Sequence, residues 1–126
     1  MRILVIEPDK LLAEQYCQSL GSLGTCHVAG DAQSAISAVD ETSPDVIVLE
    51  LLLGAHNGVE FLHELRSYGD LQDIPVVLHT YVDPGQFTSD EAVLSELGIA
   101  AYLRKPEASL AQLVSTVRSV TNPVRS

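Results

Sequence analysis

The sequence is short of bases, of cysteine and of long apolar runs, and each shortage removes a class of function. Only 7 of its 126 residues are Lys or Arg, against 17 Asp or Glu, for a formal net charge of −10. A surface of that sign repels phosphate backbones and anionic lipid, so no direct contact with nucleic acid or membrane is expected. No stretch approaches the roughly 18 consecutive apolar residues that a membrane span needs. The opening Met1-Arg2-Ile3-Leu4-Val5-Ile6 is basic and then apolar, but Glu7 and Asp9 follow it. No small-residue cleavage site closes that segment, which argues against a secretory signal and for a first strand. A cytoplasmic location is the expectation. The two cysteines, Cys17 and Cys26, match no metal spacing and make no disulfide framework. They are expected as small core or near-surface residues, with a redox role the less favoured reading. The four histidines, His27, His56, His63 and His79, match no metal motif either.

What is present is a regular alternation. The length suits one domain, and 46% hydrophobic residues suffice for a core and argue against disorder. Short aliphatic and β-branched runs at Ile3–Ile6, Thr25–Ala29, Val46–Leu49, Val76–His79 and Ala101–Leu103 read as strands. Between them, Leu12, Tyr16, Leu20 and Leu23 fit a first helix closed by Gly24. Ala35, Ile36 and Val39 fit a second, with Asp31 as its N-cap. Val59, Leu62 and Leu65 fit a third. Thr88-Ser89-Asp90-Glu91 has the form of a capping box and predicts a fourth helix ending near Gly98. Leu110, Leu113, Val114 and Val117 make the apolar stripe of a fifth. Residues 1–120 are therefore expected as one domain, with 121–126 as a frayed tail or the start of a linker.

A βα unit repeated five times implies parallel strands joined by right-handed crossovers. Five strands are too few for an eight-stranded barrel. The prediction is an open, doubly wound α/β sheet of the flavodoxin-like class, with helices on both faces and strand order 2-1-3-4-5. In such sheets the functional edge lies beyond the carboxyl ends of the strands. There the sequence places Glu7, Pro8 and Asp9 after strand one, and Glu50 after strand three. Thr80 follows strand four, and Lys105-Pro106 follow strand five. Acids, a hydroxyl and a lysine should converge. Gly54-Ala55-His56-Asn57-Gly58 lacks the spacing of a phosphate-binding loop and reads as a turn.

The order and spacing of these pieces resemble the receiver domain of two-component response regulators along nearly the whole chain. The resemblance is carried by Ile3-Leu4-Val5-Ile6-Glu7, Pro44-Asp45-Val46-Ile47-Val48-Leu49-Glu50 and Gly58-Val59-Glu60-Phe61-Leu62. It continues through Pro75-Val76-Val77-Leu78-His79-Thr80 and Tyr102-Leu103-Arg104-Lys105-Pro106. It implies a phospho-accepting aspartate at the end of strand three and an acid pair after strand one that helps to hold Mg²⁺. A hydroxyl and a lysine contacting the phosphoryl oxygens correspond to Thr80 and Lys105. Tyr102 corresponds to the aromatic that changes rotamer on activation in many members. Helix four, strand five and helix five would form the output and dimerisation surface.

Two positions depart from that pattern. Glu50 occupies the acceptor position, and Pro8 replaces the second acid of the pair. Glutamate's extra methylene carries its carboxylate roughly 1.5 Å further out, and in-line phosphoryl transfer is sensitive to displacements of that size. Proline offers no side-chain oxygen to a metal. The expectation is a pseudo-receiver with an acidic pocket of Glu7, Asp9 and Glu50, no cofactor, and at most weak Mg²⁺ binding at Glu7 and Glu50. It would not be an enzyme. It would signal by phosphorylation-independent contact with a histidine kinase, an output domain, another regulator or a second copy of itself. It would be either free-standing or the first part of a longer chain. The competing reading is a receiver still switched by phosphoryl transfer or Mg²⁺ within a phosphorelay. A flavodoxin-like FMN carrier is disfavoured because Glu7-Pro8-Asp9 would repel the phosphate.

Overall fold

Val46–Leu49 is wholly aliphatic and fully buried, as a strand covered on both faces must be. In the computed structural model it is β3, the middle of a five-stranded parallel sheet. Residues 1–53, 56–69, 73–82, 96–105 and 108–121 are described, with only the backbone of 56–57. The elements in chain order are β1 (Arg2–Ile6), α1 (Lys10–Leu20), β2 (Thr25–Ala29), α2 (Ala32–Thr42) and β3 (Val46–Leu49). Then come β4 (Leu52–Leu53), β5 (His56–Asn57), α3 (Gly58–Ser67), β6 (Val76–Thr80), β7 (Ile99–Arg104) and α4 (Leu110–Thr121). The main sheet runs β2-β1-β3-β6-β7. Counting its five strands alone, that is the expected 2-1-3-4-5. The short strands β4 and β5 form a separate antiparallel pair, so His56 and Asn57 of the segment read as a simple turn pair back on Leu53 and Leu52.

The strand period of two divides the core into two layers. Leu4, Ile6, Ile47, Leu49 and Leu78 face α2 and α3, where Val39, Phe61 and Leu65 meet them. Ile3, Val5, Val46, Val48 and Val77 face α1 and α4, where Tyr16, Leu20, Leu113 and Val117 meet them. The outer strands are less covered, and Val28 of β2 is 48% exposed.

The local signals mostly act as expected, with boundary shifts. Asp31 caps α2 by accepting from the Ser34 N–H at 2.7 Å. The first helix stops at Leu20 with Gly21 as its C-cap, earlier than the predicted closure at Gly24. Gly-Ser at 21–22 is a poor helix continuation, and Leu23 instead donates its N–H to the Leu20 carbonyl in the following turn. Gly24 instead allows a close backbone approach, since a Cβ there would overlap the Met1 carbonyl beside β2. Strand β7 begins at Ile99, two residues before the predicted start, with a register irregularity between Ile99 and Ala101. The predicted fourth helix from Thr88 lies outside the described residues up to 95. Thr121 belongs to α4, its hydroxyl donating to the Val117 carbonyl at 2.8 Å, and 122–126 are not described.

The cysteine expectation needs correction. Cys17 of α1 and Cys26 of β2 are not separate residues. They are joined as a disulfide, with Cα atoms 5.5 Å apart. The tight turn after Gly21 lays β2 back along α1, which brings residues nine apart in sequence face to face.

Gly98 closes the segment before β7 with φ +72, and a Cβ there would overlap the Arg66 guanidinium. That guanidinium donates to the carbonyls of Leu97 (2.8 Å) and Ile74 (2.7 Å), tying α3 to the entry of β7. Gly98→Ala therefore combines left-handed strain of about 1–2 kcal/mol with displacement of Arg66. Urea unfolding should show at least that loss, and an unchanged midpoint would contradict this account of the corner.

Candidate functional site

The parallel ladder brings the ends of four strands to one edge. Glu7 follows β1, and its N–H donates to the Ala29 carbonyl. Glu50 follows β3 with its N–H on the Ile6 carbonyl, and Lys105 follows β7 with its N–H on the Thr80 carbonyl. Backbone pairing thus continues one residue past each strand and aims three ionisable side chains and the Thr80 hydroxyl at a common point. All are buried: the side chains of Glu7 and Glu50 are 3% exposed and that of Lys105 is 6%.

The Lys105 ammonium lies 2.5 Å from Glu7 Oε1 and 2.8 Å from Glu50 Oε1. The Thr80 hydroxyl donates to Glu50 Oε2. Backbone N–H groups complete the shell: Leu52 donates to Glu50 Oε2 at 3.0 Å, and Asp9 to Glu7 Oε2 at 3.1 Å. Tyr81 adds a longer N–H contact to Glu50 Oε1 at 3.4 Å. Burial disfavours charge on Glu50, but the hydrogen bonds from Lys105, Thr80 and Leu52 outweigh it and hold its carboxyl below the ordinary value. Burial likewise disfavours the Lys105 ammonium, yet Glu50 and Glu7 raise its pKa above the ordinary value.

Of the residues singled out from the sequence, Glu7, Glu50, Thr80 and Lys105 meet. Asp9 and Tyr102 do not join them through their side chains. Asp9 turns its carboxylate to cap α1, accepting from the Leu12 N–H at 3.1 Å. Tyr102 lies on β7 and donates its hydroxyl to the Val82 carbonyl at 2.7 Å, two residues past Thr80. Pro8 is exposed and brings no ligand oxygen. The donor set consequently does not fit Mg²⁺. That ion needs near-octahedral oxygen ligands, whereas the oxygens of Glu7 and Glu50 are already engaged by the ammonium, a hydroxyl and N–H groups. Among the described residues no group of three or more His, Cys, Asp or Glu is arranged to hold a metal.

Sequence reading missed two parts of the surroundings. The Tyr81 ring lies over the Lys105 ammonium at 4.8 Å. On the other side of β6, His79 is buried, and its Nδ1 lies 2.6 Å from the Tyr16 hydroxyl, the two rings meeting edge to face. Burial lowers the His79 pKa, the Ala108 backbone opposing it, and burial with the Glu7 and Glu50 charges raises that of Tyr16. His79 is therefore a core histidine directly preceding Thr80, its Nδ1 paired with Tyr16 and its Nε2 buried without a hydrogen-bond partner among the described residues. The available signal was its parity: in an otherwise aliphatic strand it shares the face of Val77, toward α1, and needed a polar partner there.

Removing one charge from such a cluster strands the others. Lys105→Met leaves two buried carboxylates facing each other and should cost about 3–5 kcal/mol at pH 7. The penalty should shrink as pH falls and Glu50 takes up a proton. Equal losses at neutral and acid pH would show that the pairing is unimportant.

The protein's own pH profile should have two acid steps. A depressed folded pKa gives stability that is present above the unfolded value and lost as pH falls. His79 should weaken the fold below its ordinary 6.5, and Glu50 below its ordinary 4.5. Lys105, with a raised pKa, keeps its contribution until pH rises past 10.5. Urea midpoints measured from pH 8 to 3 should fall in those two stages, and Glu50→Gln should remove the lower one.

Comparison with known proteins agrees with this architecture. Residues 3–118 match the family described as "Response regulator receiver domain". The chain is 31% identical over 121 residues to "Response regulator MprA" of Mycobacterium leprae (strain TN) and, equally, to that of Mycobacterium avium (strain 104). In each case the match covers 95% of this chain and 50% of the relative, so the chain spans about half the length of the curated relatives it matches. Among solved structures it resembles a sensor protein from Polaromonas sp. JS666, with a TM-score of 0.85 and 19% identity over 97% of this chain and 96% of that one. A receiver domain protein (CheY-like) from Methanospirillum hungatei JF-1 aligns with a TM-score of 0.81 and 16% identity, covering 97% and 94%. At such identities these two structures speak to the fold alone. With the family matched along nearly its whole length, this chain belongs to the response regulator receiver domains of two-component signalling.

Proposed function

We propose that this receiver domain signals through contacts that do not require phosphorylation, with Glu50 standing in for a phosphorylated acceptor. The observation that carries the reading is the closure of the site on itself: Lys105 and Thr80 both bind the Glu50 carboxylate directly. In the family pattern these two groups contact the phosphoryl oxygens. Here a carboxylate of the protein's own chain already occupies them. Glu50 brings one negative charge against about −1.5 to −2 for a phosphoryl group, but it is covalently delivered and always present at neutral pH.

The cytoplasm is the natural compartment for such a module, and among the described residues no helix is long and apolar enough to cross a membrane. Its partner would be a histidine kinase, an attached or separate output domain, another regulator, or a second copy. The β7–α4 side, with the segment joining β6 to β7, is the proposed contact face. The Tyr102 hydroxyl on β7 donates to the carbonyl of Val82, two residues past Thr80, which links that face to the residue bound to Glu50. The domain works by binding and not by catalysis.

Incubation with a small-molecule phosphodonor and Mg²⁺, followed by intact mass, should leave the chain unmodified. Adding Mg²⁺ and beryllofluoride should leave the amide resonances of Glu50, Thr80, Tyr81 and Lys105 in place. Glu50→Ala should shift those resonances and weaken partner or self association by tenfold or more, about 1.4 kcal/mol. Stoichiometric uptake of a phosphoryl group, with altered association, would instead establish an ordinary switch.

A further inference from the structure

We propose that Cys17 and Cys26 form a reversible redox pair through which a small disulfide or dithiol sets how firmly α1 is held on the sheet. The two residues lie on different elements, α1 and the edge strand β2, with Cα atoms 5.5 Å apart, inside the range that a disulfide spans without backbone movement. Both are half-buried, neither sealed in the core nor free in solvent. Cys26 packs against the core layer under α1 and pairs in register with Ile3, while β2 has its other edge unpaired in the sheet. No other cysteine exists in the chain to compete for either partner.

The chemistry is thiol–disulfide exchange. One cysteine thiolate attacks a low-molecular-weight disulfide and expels one thiolate, leaving a mixed disulfide. The second cysteine thiolate attacks the protein sulfur of that bond and expels the other. The protein loses two electrons and two protons, and the reagent leaves as two thiols. A dithiol reverses both steps. The consequence is local. Cys17 directly follows Tyr16, whose hydroxyl bonds His79, and the same helix carries the Asp9 cap beside Glu7. Oxidation therefore fixes the helix that backs the acidic cluster, and reduction releases it to its noncovalent packing alone.

The test uses the full chain equilibrated in glutathione buffers of graded oxidised-to-reduced ratio, then acid-quenched, alkylated and weighed intact. The expected result is one cooperative two-electron transition, from doubly alkylated protein to protein lacking two hydrogens, with no lasting glutathione adduct. Closing a loop of this size should raise the thermal midpoint by roughly 10 °C on oxidation. Dithiothreitol should reverse that shift, and Cys17→Ala and Cys26→Ala should each abolish it. Two thiols that stay alkylatable at every ratio, or that each retain glutathione, would overturn the proposal. So would a bond that dithiothreitol cannot open in the folded protein, or a redox-dependent midpoint that persists in either variant.

Discussion

The buried ammonium of Lys105 is the constraint around which the functional edge is built. A charge in the interior is tolerated only when it is paired and hydrogen-bonded, and here it is held by Glu7 and Glu50. Two carboxylates against one ammonium leave one negative charge in a poorly solvated place. The Thr80 hydroxyl and the N–H groups of Leu52 and Asp9 stabilise it. Because Glu7, Glu50, Thr80 and Lys105 each follow or end a different strand, the cluster also clasps β1, β3, β6 and β7 at their carboxyl ends. Its geometry depends on the register of the sheet, and that register is set by the two apolar layers.

Those layers divide the labour. The face under α2 and α3 is aliphatic with Phe61 at its centre, and it fixes β3 and β6. The face under α1 and α4 carries the only buried aromatic–histidine pair among the described residues, Tyr16 with His79. That pair sits back to back with Thr80 across β6. A strand whose last two residues are locked on opposite faces, one by an aromatic hydroxyl and one by a carboxylate, has little freedom to move.

The departure from the receiver pattern is small in composition and large in consequence. At position 50 a glutamate carboxylate meets the ammonium and hydroxyl directly. Proline at position 8 removes an oxygen from the same edge, and Asp9 is turned away into a helix cap. Glu7, Glu50 and Lys105 form an ion-pair cluster at that edge, and the proposed activity, contact, rests on it.

Much of this was legible in the residues. The alternation of aliphatic runs with 3.6-period stripes determined the sheet, its parallel sense and its order, because burial on two faces leaves few other ways to use those runs. The same reading placed Glu7, Glu50, Thr80 and Lys105 at one edge, since strand ends in such a sheet converge. What sequence could not supply was the partner of each side chain. That Asp9 caps α1, that Tyr81 covers Lys105, that His79 finds Tyr16 and that Cys17 meets Cys26 are decided by distances between elements far apart or reversed in the chain. Periodicity along one dimension fixes which face a residue occupies; only the packing of helices on the sheet fixes what stands opposite it.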